Sequence, residues 1–154
     1  MDKDLKERME ELSARNDERQ EKARREVWKH PKPLREWTAH GLRCFMLSGV
    51  VGGPNGYAVV PPEHPWYAVH YSECPKSECD EEWCEHTPES GIEVHGGITL
   101  SALVKDGWAF GFDTAHVGDQ LAMGASGLVP GTVWELGNVA TETEHMAKQL
   151  SEVV

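Results

Sequence analysis

The first thirty residues, MDKDLKERMEELSARNDERQEKARREVWKH, hold no Gly or Pro and are dense in Glu, Lys, Arg and Ala, side chains that lose little freedom in a helix. Leu5, Met9 and Leu12 recur at helical spacing, and Ala23 and Val27 resume the stripe after Asn16 and Arg19. The pattern predicts a charged helical arm over 1–30, helped by the i,i+4 pairs Glu18–Lys22 and Glu21–Arg25 and ended by Pro31 and Pro33. The stripe is too thin for a long coiled coil. It leaves a solvated arm, or a helix for self-association or partner binding.

Beyond Pro33 the period shortens. GLRCFMLSGV suits a buried strand, GGPNG is turn chemistry, and YAVVP reads as the returning strand of a hairpin. PPEHPWY interrupts regular structure with three prolines. YAVHYSE, IEVHGG, ITLSALV and GWAFGFD read as further short strands, and Val117–Pro130 as loop. Trp108, Phe110 and Phe112 alternate, so they form one buried wall, with Gly111 interrupting the other face.

In TVWELGNVATETEHMAKQLSEVV, Val133, Leu136, Val139 or Ala140, Thr143, Met146 or Ala147, and Leu150 keep helical spacing. Thr132 followed by Glu135 is a capping-box signature, and Gly137 invites close packing. The expected class is α+β: a small, mostly antiparallel sheet flanked by a charged N-terminal helix and an amphipathic C-terminal helix. Residues 31–154 read as a single domain carrying a Cys-rich loop over 73–87.

Charge narrows the partners. Residues 1–30 balance nine acids against nine bases, so the net charge of −11 belongs to residues 31–154, with seventeen acids and six bases. That field disfavours nucleic acid and anionic membranes. No stretch approaches the roughly 18 apolar residues of a membrane span, and no apolar leader opens the chain. A cytoplasmic protein that meets other proteins is expected.

CPKSECDEEWCEH places Cys74, Cys79, Cys84 and His86 within thirteen residues. Three thiolates and an imidazole are a structural zinc set, and a reducing compartment makes disulfides a poor alternative. The Cys84-x-His86 spacing is tight, which keeps His70 and His95 open as the fourth ligand. The acids around the loop, among them Glu73, Glu78, Asp80 and Glu85, attract a cation, and Zn2+ would supply the core that the loop lacks.

His95 sits beside Gly96 and Gly97, and Asp113, His116 and Asp119 follow at three-residue intervals in FGFDTAHVGD. An aspartate that orients an imidazole leaves its other nitrogen for chemistry, so His95, Asp113, His116 and Asp119 are the candidate catalytic residues. They also offer a mixed nitrogen and oxygen metal site. Thr99 and Ser101 are nucleophiles only if a histidine base reaches them. Each residue also has a structural reading: an N-cap for Asp113, an Asx turn for Asp119, a satisfied turn for His116. No His-Glu-x-x-His, Gly-x-Ser-x-Gly or phosphate loop is present in the sequence.

NGYAVVPPEHPWY, VHGGITLS and FGFDTAHVGD resemble motifs of a group of small uncharacterised proteins from bacteriophages and actinobacterial genomes. Those read NGYV-x-VP-x-x-HP, VHGG-x-T-x-S and WWFGFD-x-AH-x-GD, and the likeness spans Trp37 to Leu150. Trp108-Ala109-Phe110 departs from the doubly aromatic form. The resemblance implies a phage origin and a product in the host cytoplasm, and gives no role to His95, Asp113, His116 or Asp119. The expectation is a zinc-stabilised protein that binds a host or phage protein, or a small ligand. The alternative is a metal-dependent or His/Asp hydrolase.

Overall fold

The apolar run around Phe45 becomes the second strand of a five-stranded antiparallel sheet, in a structure that is a computed structural model. Residues 3–50, 52–75, 84–115, 119, 121–122, 128–129 and 131–154 are described. In chain order the elements are α1 (Lys3–Arg25), β1 (Arg35–Ala39), β2 (Leu42–Leu47), β3 (Asn55–Val60), α2 (Pro88–Gly91), β4 (Leu100–Val104), β5 (Gly107–Phe112), β6 (Leu121–Ala122), β7 (Leu128–Val129) and α3 (Leu136–Ser151). The large sheet runs β1-β2-β3-β5-β4, and β6 pairs with β7 separately. The expected α+β class, with a helix at each end of the chain, holds.

Alternation splits the sheet into two faces. Cys44, Met46, Ala58, Val60, Trp108, Phe110 and Phe112 join Val139, Met146, Ala147 and Leu150 of α3 in the larger core. Phe45, Leu47, Tyr57, Val59, Val104 and Ala109 form a smaller cluster on the reverse face, with Trp28 and Leu100 packed against it. The aromatic wall read from GWAFGF is therefore the α3 side of β5. Gly111 lies on the other side, where an added Cβ would come within 2.4 Å of the Tyr57 ring.

Several expectations shift, and the segment read as loop over Val117–Pro130 carries the paired strands β6 and β7. The arm leaves helical geometry after Arg25, before either proline, because the chain beyond it docks on the sheet. Trp28 N–H donates to Leu103 O at 2.8 Å, Leu34 N–H to Met46 O at 2.8 Å, and Trp28 packs on Tyr57. REWTA, which carries little strand signal, is edge strand β1. It turns into β2 through His40 and Gly41 at φ 53° and 79°, the left-handed pair of a tight hairpin turn.

YAVHYSE and IEVHGG are not strands, because side chains take the bonds that a ladder would provide. Arg24 Nε donates to Ala68 O at 3.0 Å and Trp108 Nε1 to Val69 O at 2.9 Å, while Tyr71 N–H donates to Ser101 Oγ at 3.1 Å. In the second segment the Gln149 amide grips both backbone groups of Glu93 at 2.7 Å, and His95 N–H donates to Glu142 Oε1 at 2.7 Å. Ile92 and Val94 remain buried, so the apolar pattern was real and the ladder was not.

α3 starts later than the Thr132 cap suggests. Glu135 is its N-cap, and Asn138 Oδ1 accepts the Glu135 N–H at 2.6 Å. Val133 and Leu136 are exposed, and the buried face is Val139, Ala140, Thr143, Met146, Ala147 and Leu150. The close approach lies opposite the helix glycine: a Cβ on Gly56 would fall 2.1 Å from Thr143 Oγ1, whereas one on Gly137 would meet nothing within 4 Å.

Candidate functional site

The Cys-rich loop is described at its two ends. Cys74 and Cys84 with His86 offer ligand atoms that all lie within 4.8 Å of one another. Cys79 falls outside the described residues. Cys84 Sγ stands 3.5 Å from His86 Nδ1. A zinc ion with a sulfur at ~2.3 Å and a nitrogen at ~2.05 Å in tetrahedral array sets such an edge at about 3.6 Å. The three donors could hold a metal ion, and the Cys84–His86 edge is close to the one that zinc would set. The two-residue step from Cys84 to His86, which looked too tight, is accommodated by a turn in which His86 N–H donates to Cys84 Sγ at 3.2 Å. Below the pair, Thr87 caps the short α2.

The other two histidines considered as fourth ligand are engaged elsewhere. His70 Nδ1 meets Ser72 Oγ at 2.7 Å, and burial lowers its pKa against the raising influence of Glu73. His95 Nε2 lies 2.9 Å from Asp119 Oδ2. Cys44 is fully buried in β2, and burial pushes its thiol up to about 11. It belongs to the core.

The second cluster joins His95 and Asp119 and adds a residue that sequence reasoning missed. Asp119 is 2% exposed. Its Oδ1 accepts the Trp134 indole N–H at 2.8 Å, and the Trp134 ring lies against the His95 ring at 4.3 Å between centroids. Trp134 had no signal of its own, since TVWELG reads as the apolar start of a helix. His95 lies within a tight turn in which Gly97 N–H donates to Val94 O at 2.9 Å. Gly96 and Gly97 have φ of 68° and 79°. At Gly97 an added Cβ would meet nothing within 4 Å, so left-handed backbone, not close approach, calls for glycine there.

Asp113 takes a structural role just past β5. Its Oδ1 accepts the Ala115 N–H at 3.1 Å, an Asx turn, and its Oδ2 accepts the Thr99 hydroxyl at 3.3 Å. Ser101 Oγ is occupied by the Tyr71 N–H. His116 lies outside the described residues. Of the four candidate catalytic residues, His95 and Asp119 are thus brought together. His64 is a structural histidine: its Nδ1 accepts the Trp66 N–H at 2.9 Å, which puts the proton on Nε2, 2.8 Å from Leu150 O near the end of α3. Among the described residues no helix is long and apolar enough to cross a membrane. Neither family models, nor curated proteins, nor solved structures give a match to this chain.

Proposed function

We propose that this chain is a small zinc-stabilised protein that works by binding another protein. The carrying observation is the convergence of Cys74, Cys84 and His86 within 4.8 Å. Cys79, midway between the two cysteines in sequence, is the fourth ligand in this reading. Zinc here would tie both ends of a loop too acidic to fold on apolar contacts. It is a structural ion, closed by four protein ligands rather than left open to substrate. The likeness of the VHGG and FGFD segments to phage proteins supports a phage origin and a site of action in the host cytoplasm, where thiolates remain available to metal.

The test is metal content and cobalt substitution of the full chain. One zinc per chain, and intense visible bands of tetrahedral cobalt thiolate lost in Cys84→Ser, are the expected results. A metal-free protein whose stability ignores chelators would overturn the reading.

A second reading is favoured by the His95–Asp119 pair. A buried carboxylate that fixes the proton on Nε2 makes Nδ1 the basic nitrogen, the arrangement of a general base. As a hydrolase, the protein would cleave an activated ester in a reaction abolished by His95→Gln. Equal rates for wild type and variant would dismiss it.

A further inference from the structure

Leu5, Met9 and Leu12 share one face of α1, yet they are 50%, 55% and 58% exposed. The same spacing continued down the helix reaches Arg19 and Ala23. Those two residues line an open groove of about 570 Å³ that also takes in Val27, Trp28, Leu100 and Ala102. The line of the apolar stripe therefore leads, through Arg19, to the groove at its foot.

Charge is sorted around it. Arg8, Arg15 and Lys22 run along one flank of the stripe, with Asp4 and Glu11 at its outer edge, Arg19 stands in the stripe itself, and Glu7, Glu10, Glu18 and Glu21 fall on the far side of the helix. Lys29 extends the basic rim, and Glu26 is the one acid lining the groove, 3.9 Å from Lys22. A neighbouring cavity of about 290 Å³ beyond Trp28 is lined by Lys32, Lys105, Glu36 and Arg43, the last paired with Glu36 and Asp106. In a strongly acidic molecule, Arg8, Arg15, Arg19, Lys22 and Lys29 border the stripe and the groove at its foot.

We propose that this track of stripe and groove docks an acidic amphipathic helix of a partner protein, with apolar anchors at helical spacing flanked by Glu or Asp. A stripe at i, i+4, i+7 is complementary to another helix. Leu5 to Ala23 spans about 27 Å at 1.5 Å per residue, so the occupant has about five turns. A second copy of α1 is a poor occupant. Antiparallel, it brings the basic flank against itself; parallel, it meets Lys6 and Gln20, which are not acids. An anionic bilayer would be repelled by the glutamates of the far side and by the acidic body. The inference rests on the protein-binding reading above but is independent of the zinc.

The experiment measures binding of the full chain to two labelled synthetic helices with leucine at the core heptad positions, one flanked by glutamate and one by lysine. The expected result is roughly tenfold or greater preference for the glutamate peptide, weakening with salt. Replacing Leu5, Met9 and Leu12 together by Gln abolishes it, and the double variant Arg19→Glu, Lys22→Glu reverses the preference. All five positions are exposed, and circular dichroism confirms that the helix is retained. Equal binding of the two peptides, indifference to the substitutions, or preference for phosphatidylglycerol vesicles or single-stranded DNA overturns the proposal. So does a dimer in sedimentation equilibrium that the triple variant dissolves. Zinc content of the same samples keeps the outcomes apart: loss of peptide preference in zinc-loaded protein refutes the track alone.

Discussion

Asp119 shows how a residue changes meaning once its neighbours are known. In sequence it follows a glycine and suits a loop-closing turn. In the fold it is buried, with one oxygen on Trp134 and the other on His95. Asp119→Ala leaves the half-buried Trp134 indole N–H without its acceptor, and a loss of about 1–3 kcal/mol is expected in urea unfolding. A loss below half a kcal/mol would mean that the cluster contributes little to the fold. Asp113 is the converse, an attractive candidate whose oxygens hold a turn and a threonine.

Arg43 is a third case. It grips both oxygens of Asp106 at 2.8 Å, and this bond holds the Asp106 carboxyl below its ordinary range. A depressed folded pKa gives stability that is complete above the unfolded value and is lost as pH falls through the folded one. The pair is partly exposed, so Asp106→Asn should cost only about 0.5–1 kcal/mol at neutral pH. The gap from wild type should close below about pH 4. A gap that persists unchanged at low pH would assign the effect to packing instead.

Among the elements, α3 against β3 sets the tightest contact of the larger core. Gly56 lies at that contact and Gly137 on the exposed first turn of α3, and the two should respond in opposite directions. Gly56→Ala drives a Cβ into Thr143 Oγ1 and the Phe112 ring and should destabilise by about 1–3 kcal/mol. Gly137→Ala enters open space and should stabilise by up to about 1 kcal/mol. Melting temperatures of the two variants check both signs.

The strands β2, β3, β4 and β5 were legible because their apolar runs end in turn residues. β1 was not, because its half-exposed REWTA has no clear alternation. IEVHGG was misleading for a different reason: its burial is strand-like, while Gln149 and Glu142 of α3, some fifty residues away in sequence, satisfy its backbone. No local pattern carries that information.

At the scale of the whole molecule, neither apolar cluster on the sheet includes Cys74, Cys84 or His86, so the proposed zinc should stabilise one region rather than the entire fold. Chelation is expected to expose Cys74 and Cys84 to alkylation while Cys44 stays protected, read by mass spectrometry. Hydrogen exchange should rise around 71–75 and 84–91 and remain slow in β2, β3 and β5. Global unfolding on chelation would show that the loop is integral to the core. α1 is tied to the body at its end, where Arg24 bonds Ala68 O and Glu73, and its Leu5, Met9 and Leu12 stripe stays exposed.

The sequence by itself determined the α+β class, the two terminal helices, the aromatic wall of β5 and the grouping of thiols with His86. These depend on periodicity and on ligands close together along the chain, both local properties. The tertiary structure alone decided that His95 meets Asp119 under Trp134, that Asp113 serves a turn, and that the stripe of α1 runs into a basic groove on the sheet. Each of those joins segments far apart in sequence, and the bonds that join them come from side chains whose partners the chain's order does not reveal.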